Sequence, residues 1–328
     1  MKVSELGEFG LIDLLAKMVS QTSQQQLVLG IGDDAAVWQA DRSIQLATVD
    51  SLIQDIHFSL GVISWEELGW KALAANLSDI AAMGGVPRYA LVSLALPGTT
   101  EVEEVSALYR GMTELAKQFE VAIIGGDTSR APLVLVTVTV LGSVGKGGNI
   151  LTRSLAKPGD KIAVTGYLGA AAAGMGMLSS KLQFDPEAAT TLRNAFLRPL
   201  PRIAEGQLLL AQGVKTAIDI SDGLVSDLKQ VCKASRVSAR VEIERVPISP
   251  AVKANFADRA LELALSGGED YELLFTASTE VINKVKETAS YPVSVVGEIL
   301  AGKPGEVSLV DENGCPFSLP RGGWEHFK

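Results

Sequence analysis

The apolar residues of this chain come in short runs, none long enough to span a bilayer. One of the longest, LVLVTVTVLG from Leu133, is dense in β-branched residues, as suits a buried strand. Amphipathic helical stretches lie between such runs, and the two kinds of segment do not alternate strictly. That order favours α+β layers with mixed or antiparallel sheets over a doubly wound parallel sheet. With 328 residues, of which 47% are apolar and 20% charged, the chain is large enough for two domains that each bury a core.

The spacing predicts a helix over 8–20, then a turn at GIGDDAAVW from Gly30 that leads into a short strand. Strands are expected at 44–49 and 90–96. A helix is expected from Ser64 to Met83, opened by the capping box Ser64-Trp-Glu-Glu67 and closed by Gly84-Gly85. A further helix over Glu101 to Gln118 feeds the apolar run VAII and a turn at GGDTSR. The glycine-rich stretch GSVGKGGN from Gly142, with the turn at Pro158-Gly159-Asp160, puts the domain boundary near residue 148, giving domains 1–148 and 149–328. In the second half, a glycine- and alanine-rich helix from Leu168 and another from about Ile203 precede a strand ending in IDISDG. A helix and the turn SGGED then lead to the strand YELLFTA.

A net charge of −9 without long basic runs argues against nucleic acid as a partner. An acidic chain that nevertheless binds a phosphorylated molecule needs divalent cations between its carboxylates and the phosphates. Acids interrupt the apolar pattern of MKVSELGEFGLIDLL, which does not read as a signal peptide, so the expectation is a cytoplasmic protein with no membrane segment. Cys232 and Cys315 are too few for a disulfide framework or a cysteine-ligated zinc site, and both are expected to be reduced and structural.

The aspartates carry the chemical signal. Asp33 and Asp34 follow Gly30-Ile-Gly32, Asp50 is expected at a strand end, Asp79 in a helix, Asp127 after Gly125-Gly126, and Asp219 and Asp222 flank a strand-to-helix turn. Carboxylates on stiff elements can converge, and adjacent glycines let a phosphate approach the backbone. Oxygen-only ligands without a histidine cluster select a hard cation, usually magnesium when phosphate is involved. Taken singly, each aspartate is more often a turn or cap residue. Asp79 is harder to dismiss, because it follows Asn76 by three positions on a mostly apolar helix, where a buried polar pair needs partners.

Other residues stay open between two readings. Ser221, before an amphipathic helix, is either a helix cap or part of a phosphate site, and Gly166-Tyr-Leu-Gly169 is a similar weak anion cradle. His57 is either structural or, near Asp50 and Asp55, protonated and able to grip a phosphate. Arg130 and Arg153 suit phosphate but also surface acids. Glu269, Asp270 and Trp324 are either a loop acid pair and a core aromatic, or a substrate pocket. GSVGKGGN lacks the spacing of a P-loop, and GIGDD is an incomplete dinucleotide fingerprint.

In order along the chain, GEFGLI, GIGDDAAV, TVDSLIQDIHF, KALAANLSDIAAMGG, IGGDTSR, LTRSLAKPGD, DISDGL and SGGEDYEL resemble the thiamine-monophosphate kinase family, and together they span nearly the whole sequence. The resemblance implies a two-domain fold like that of aminoimidazole ribonucleotide synthetase, with an N-terminal ATP-binding domain, and a homodimer. It implies ATP and thiamine monophosphate as substrates and several Mg2+ ions, held by Asp34, Thr48, Asp50, Asp79, Asp127, Asp219 and Asp222. Tyr109, Gly126, Asp127, Arg153 and Ser221 would hold the nucleotide, and His57, Glu269 and Trp324 the acceptor. One departure stands out: the family has a hydroxyl residue before the second of these strand aspartates, where this chain has Val49. The alternatives are another ATP-dependent synthetase on the same scaffold, or a non-catalytic nucleotide-binding protein.

Overall fold

In the computed structural model, residues 1–19, 27–29, 37–38, 43–145 and 149–319 are described. The predicted turn at Gly30, with Asp33 and Asp34, lies outside the described residues, as does Trp324. The chain divides into two compact units: Met1–Ile80 with Gly85–Gly148, and Ala81–Gly84 with Asn149–Lys328.

The first unit holds, in chain order, α1 (Val3–Val19), β1 (Leu27–Leu29), β2 (Val37–Trp38), β3 (Ile44–Ile53), α2 (Trp65–Ala82), β4 (Val86–Leu96), α3 (Val102–Gln118), β5 (Ala122–Arg130) and β6 (Leu135–Val144). The last two residues of α2 are grouped with the second unit. Strands β1 and β2 form a small antiparallel pair. The main sheet runs β3-β6-β4-β5, antiparallel except for the parallel β4–β5 pair. One face of this sheet carries Val136, Val138 and Val140 of β6 and Ala90, Val92 and Leu94 of β4, all buried. The other face, with Thr137, Thr139, Leu91 and Ser93, is half-exposed.

Helix α2 is apolar on nearly every side and, from Glu67 to Ala82, buried at every residue but Asp79, as expected of a helix enclosed by protein. Its start is the expected capping box: the Ser64 amide donates to Glu67 Oε2 (3.0 Å) and the Glu67 amide to Ser64 Oγ (3.3 Å). Helix α3 begins with a second box, built from Glu101 and Glu104. The two helices touch through glycine. A Cβ on Gly69 would stand 1.8 Å from the Leu108 carbonyl oxygen, and one on Gly111 would stand 1.8 Å from that of Glu66.

The GGDTSR segment is strand rather than turn. It continues β5 to Arg130, because Gly126 to Arg130 pair in register with Val92 to Leu96. A side chain at 126 would collide with the Val92 carbonyl at 1.9 Å, so the glycine permits pairing instead of ending it. Asp50 is likewise inside β3 and not at its end, since pairing with β6 extends the strand to Ile53.

The second unit contains β7 (Lys161–Thr165), α4 (Ala170–Ser180), α5 (Pro186–Leu197), α6 (Ile203–Ala211), β8 (Thr216–Asp219), α7 (Leu224–Ser235) and β9 (Ser238–Glu242). It continues with α8 (Pro250–Asn255), α9 (Ala260–Ser266), β10 (Leu273–Ala277), α10 (Thr279–Thr288), β11 (Val293–Leu300), β12 (Val307–Val310) and β13 (Pro316–Phe317). Its sheet runs β13-β12-β9-β11-β7-β10-β8, antiparallel except where β12 meets β9. Leu224, Leu228, Val231 and Cys232 of α7 pack with Ile218, Leu274 and Val296 in its main core. Of the two cysteines, only Cys232 is built into a core, and Cys315 is exposed because it follows the tight turn that accepts its amide at Asp311.

Gly111→Ala provides a signed test of the α2–α3 contact. At an ordinary helical position the change stabilises by about 0.5–1 kcal/mol. Here collision with backbone should reverse the sign and cost about 1–3 kcal/mol in chemical denaturation.

Candidate active site

Within the first unit, the strand parity of β3 sorts the expected ligands. Thr48 and Asp50 are two residues apart and share the helix-covered face, while Val49 points to the open face and is 58% exposed. Thr48 Oγ1 donates to Asp79 Oδ2 at 2.5 Å, which ties the strand to α2. One turn earlier in α2, Asn76 is fully buried. Its amide nitrogen donates to the Ala72 carbonyl (3.0 Å), and its Oδ1 has no partner among the described residues. The valine that replaces the usual hydroxyl therefore changes the open face, since a side chain at 49 points away from Asp79.

Asp127 is separated from that group by the same rule. It pairs with Ser93, Ser93 with Thr137, and Thr137 with Ser51, whose hydroxyl lies 2.7 Å from that of Thr137. This row is on the open face, where Asp127 is exposed. Gly126 instead falls in the row of Asp50. Tyr109 is 5% exposed on the packed side of α3, and burial holds its phenol above the usual range. In the loop after β3, His57 Nδ1 accepts the Ile53 amide (3.1 Å). An imidazolium has no acceptor nitrogen, so this bond calls for a neutral ring with its proton on Nε2, which speaks against the protonated one of the two readings open from the sequence.

In the second unit, β8 delivers Asp219, 3% exposed, to the turn Ile220-Ser221-Asp222-Gly223 that opens α7. Ser221 is not the helix cap. Gly223 occupies that position, and Asp227 Oδ2 reaches back to accept the amides of Asp222 and Gly223, each at 3.1 Å. Desolvation, with Asp219 and Asp222 close by, pushes the Asp227 carboxyl up to about 8, although the two amides pull it down. The turn thus gathers Asp219, Asp222 and Asp227 close together, a crowding of acids that a bound cation would relieve. Among the described residues, no three His, Cys, Asp or Glu side chains are gathered as a ready-made metal site.

The loop Ser266 to Glu272 lies against this turn. The Glu269 amide donates to the Ser221 carbonyl (2.8 Å), and the Tyr271 amide to that of Ile220 (2.9 Å). A Cβ on Gly268 would meet the Ser221 oxygen at 2.6 Å. Glu269 (φ 60°) and Tyr271 (φ 50°) hold left-handed backbone that side chains disfavour, and strain of this kind gathers at functional sites. Asp270 accepts the amides of Gly169 (2.7 Å) and Ala171 (3.2 Å) at the start of α4, so the suspected anion cradle is already filled by a carboxylate. Desolvation raises the Asp270 carboxyl to about 7.

Glu272 forms a forked ion pair with Arg202, at 2.5 and 3.0 Å, and also accepts from Thr165. Desolvation nevertheless holds its carboxyl above the usual range. Arg202, Glu272 and Asp227 were not singled out from the sequence. Asp227 carried a weak local signal, four residues after Gly223, whereas the ion pair joins residues seventy positions apart. Arg153 is exposed, and its carbonyl accepts from Ser235 Oγ (2.8 Å).

Two family models cover most of the chain. The N-terminal domain of AIR synthase related protein matches residues 32–144, and its C-terminal domain matches 157–310. The class is thus a two-domain protein of the AIR synthase related type. A thiamine-monophosphate kinase of Bacillus subtilis (strain 168) is 39% identical, over 96% of this chain and 99% of its own. Among solved structures, the thiamine-monophosphate kinase of Stenotrophomonas maltophilia K279a superposes with a TM-score of 0.81 at 36% identity, covering 92% of this chain and 96% of that one. The structure described as AaThiL complexed with AMPPCP and TMP matches with a TM-score of 0.78 at 32% identity, covering 100% and 99%. The chain belongs to the thiamine-monophosphate kinase family.

Asp270 predicts a pH signature. Its folded-state value near 7 lies above the ordinary 3.8, so folding takes up a proton between the two. Its contribution to stability is therefore present at low pH and is lost as pH rises from about 4 to about 7. In thermal melts the wild type should lose ground to Asp270→Asn across that window and run parallel to it above.

Proposed function

We propose that this chain phosphorylates thiamine monophosphate with ATP, giving thiamine diphosphate and ADP. The observation that carries this reading is identity of 39% over nearly the full length to a curated kinase of that name, joined to the structural match with a family member solved with AMPPCP and TMP. Residues 1–148 act as the ATP- and metal-binding domain and 149–328 as its partner domain.

The transfer is direct and in line. A phosphate monoester is largely dianionic near neutral pH, its second pKa being about 6, so the acceptor oxygen needs no strong base and no protein nucleophile is required. The obstacle is repulsion between two anions. Mg2+, when bound, would supply positive charge that offsets this repulsion. Thr48, Asp50 and Asp79 on the covered face of the sheet, Asp127 on its open face, Asp219 and Asp222 in the second unit, and Asp34 are the oxygen donors we assign to several such ions. The crowding of Asp219, Asp222 and Asp227 at one turn, and the Asn76 Oδ1 that has no partner among the described residues, both suit hard cations. Gly126, Arg153, Ser221 and Tyr109 contribute to the nucleotide site. With its proton on Nε2, neutral His57 donates a hydrogen bond to the acceptor, alongside Glu269 and Trp324.

A homodimer through the open face of the four-stranded sheet is part of the same reading. Val49, 58% exposed, shares the open face of that sheet with Ser51, Leu91 and Thr139, and a second copy packed there would bury it. Among the described residues no helix is long and apolar enough to cross a membrane, and we place the protein in the cytoplasm.

The test is ADP release with and without thiamine monophosphate, with the product identified by mass. Thiamine diphosphate should form one-for-one with ADP and only when Mg2+ is present. Asp79→Asn and Asp127→Asn should each lower turnover by about a hundredfold or more, with unchanged melting temperature. Near-normal rates in both would overturn the metal assignment.

A further inference from the structure

The two neighbouring acids Glu269 and Asp270 are placed differently by the fold. Helix α4 opens on Gly169, which has no side chain to accept the helix's first amides. Asp270 supplies that acceptor from 101 positions along the chain. Its Oδ2 takes the Gly169 amide at 2.7 Å and its Oδ1 the Ala171 amide at 3.2 Å, so both oxygens are engaged at the favourable end of the helix dipole.

Glu269 stands next to this anchor on backbone that its side chain disfavours. Gly268 (φ 70°), Glu269 (φ 60°) and Tyr271 (φ 50°) are all left-handed. Such strain persists where the surroundings over-determine the conformation, and two sets of contacts do so here. On one side the loop continues the β8–β10 ladder past its end. The Glu269 amide donates to the Ser221 carbonyl (2.8 Å), the Tyr271 amide to that of Ile220 (2.9 Å), and the Ile220 amide to that of Glu272 (2.8 Å). On the other side is α4, reached by the two Asp270 bonds and by Gly267, where a Cβ would stand 2.5 Å from that of Ala172. Asp270 sits between the two strained non-glycine residues, so its anchoring fixes the direction of the chain on both sides.

The Asp219–Gly223 turn has a clamp of its own, because Asp227 holds the amides of Asp222 and Gly223. Loosening the loop at Asp270 would therefore leave the turn in place and displace Glu269.

Resting on the kinase reading, in which Glu269 contacts the acceptor, we infer that Asp270 is a positioning residue. By binding the two α4 amides it holds Glu269 in the left-handed conformation that presents it to thiamine monophosphate, and it acts through Glu269 instead of on a substrate.

The test uses the full-length protein as wild type, Asp270→Asn, Glu269→Gly and the double variant, at about pH 8, above the value of about 7 to which desolvation pushes the Asp270 carboxyl. Asparagine has a single oxygen, so its amide group would face one of the two helix N–H donors. KM for thiamine monophosphate should rise about fivefold in Asp270→Asn, with KM for ATP within about twofold of wild type. Glu269→Gly should raise the acceptor KM at least as much, and adding Asp270→Asn to it should raise it no further, because the contact that Asp270 positions is already gone. Melting curves read the strain without turnover. Glu269→Gly should raise the melting temperature of the wild type, since glycine accepts left-handed backbone, and that gain should vanish in the Asp270→Asn background. If the wild type forms no thiamine diphosphate, the kinase reading falls, whereas a vanished gain still upholds Asp270 as the residue that holds Glu269. A wild-type acceptor KM in Asp270→Asn, an equal rise in both KM values, additive KM effects in the double variant, or equal melting gains in both backgrounds would overturn the inference.

Discussion

A carboxylate that leaves water must find hydrogen-bond donors, a cation or a proton, and much of this protein's second unit is arranged by that requirement. Glu272 is met by the fork of Arg202 and the hydroxyl of Thr165. Asp270 takes the free amides at the start of α4, where the helix dipole also favours negative charge. Asp227 gathers the amides of Asp222 and Gly223, and so fixes the turn that presents Asp219 and Asp222. In the first unit Asp79 is met by Thr48. Each pairing costs desolvation and returns rigidity, which a site for charged substrates needs more than it needs stability.

Close backbone approach is the second device. Gly268 lets the Ser266–Glu272 loop lie on the Ser221 carbonyl, Gly126 lets β5 continue beside β4, and Gly69 with Gly111 lets α2 meet α3. In each case a methyl group would stand within 2.6 Å of a carbonyl oxygen. The glycines that the sequence presents as loop markers are, at these positions, packing residues. That explains why GGDTSR reads as a turn and folds as a strand: the double glycine is ambiguous until its neighbour is known.

Local signals were legible. The Ser64–Glu67 capping box, the ends of α2 and α3, the strand-to-helix turn at Asp219 and the α+β order of elements follow from interactions within a few residues, which a sequence displays directly. The candidate aspartates were legible as a set, because oxygen ligands beside glycines have a chemical meaning before any fold is known. Their grouping was not. Strand parity places Thr48 and Asp50 on one face of the sheet and Asp127 on the other, and parity is decided by a register set through β6 and β4.

By itself, then, the sequence determined the kinds of element, the acidic oxygen-rich chemistry and, through eight ordered motifs, the family. Tertiary structure alone decided which charges meet. The partnership of Arg202 with Glu272, the proton position on His57 and the filling of the α4 cradle by Asp270 join residues that are distant in sequence or depend on loop conformation. The physical reason is range: capping and periodicity act over one helical turn, whereas compensation of a buried charge depends on whichever group the packed chain brings within about 3 Å.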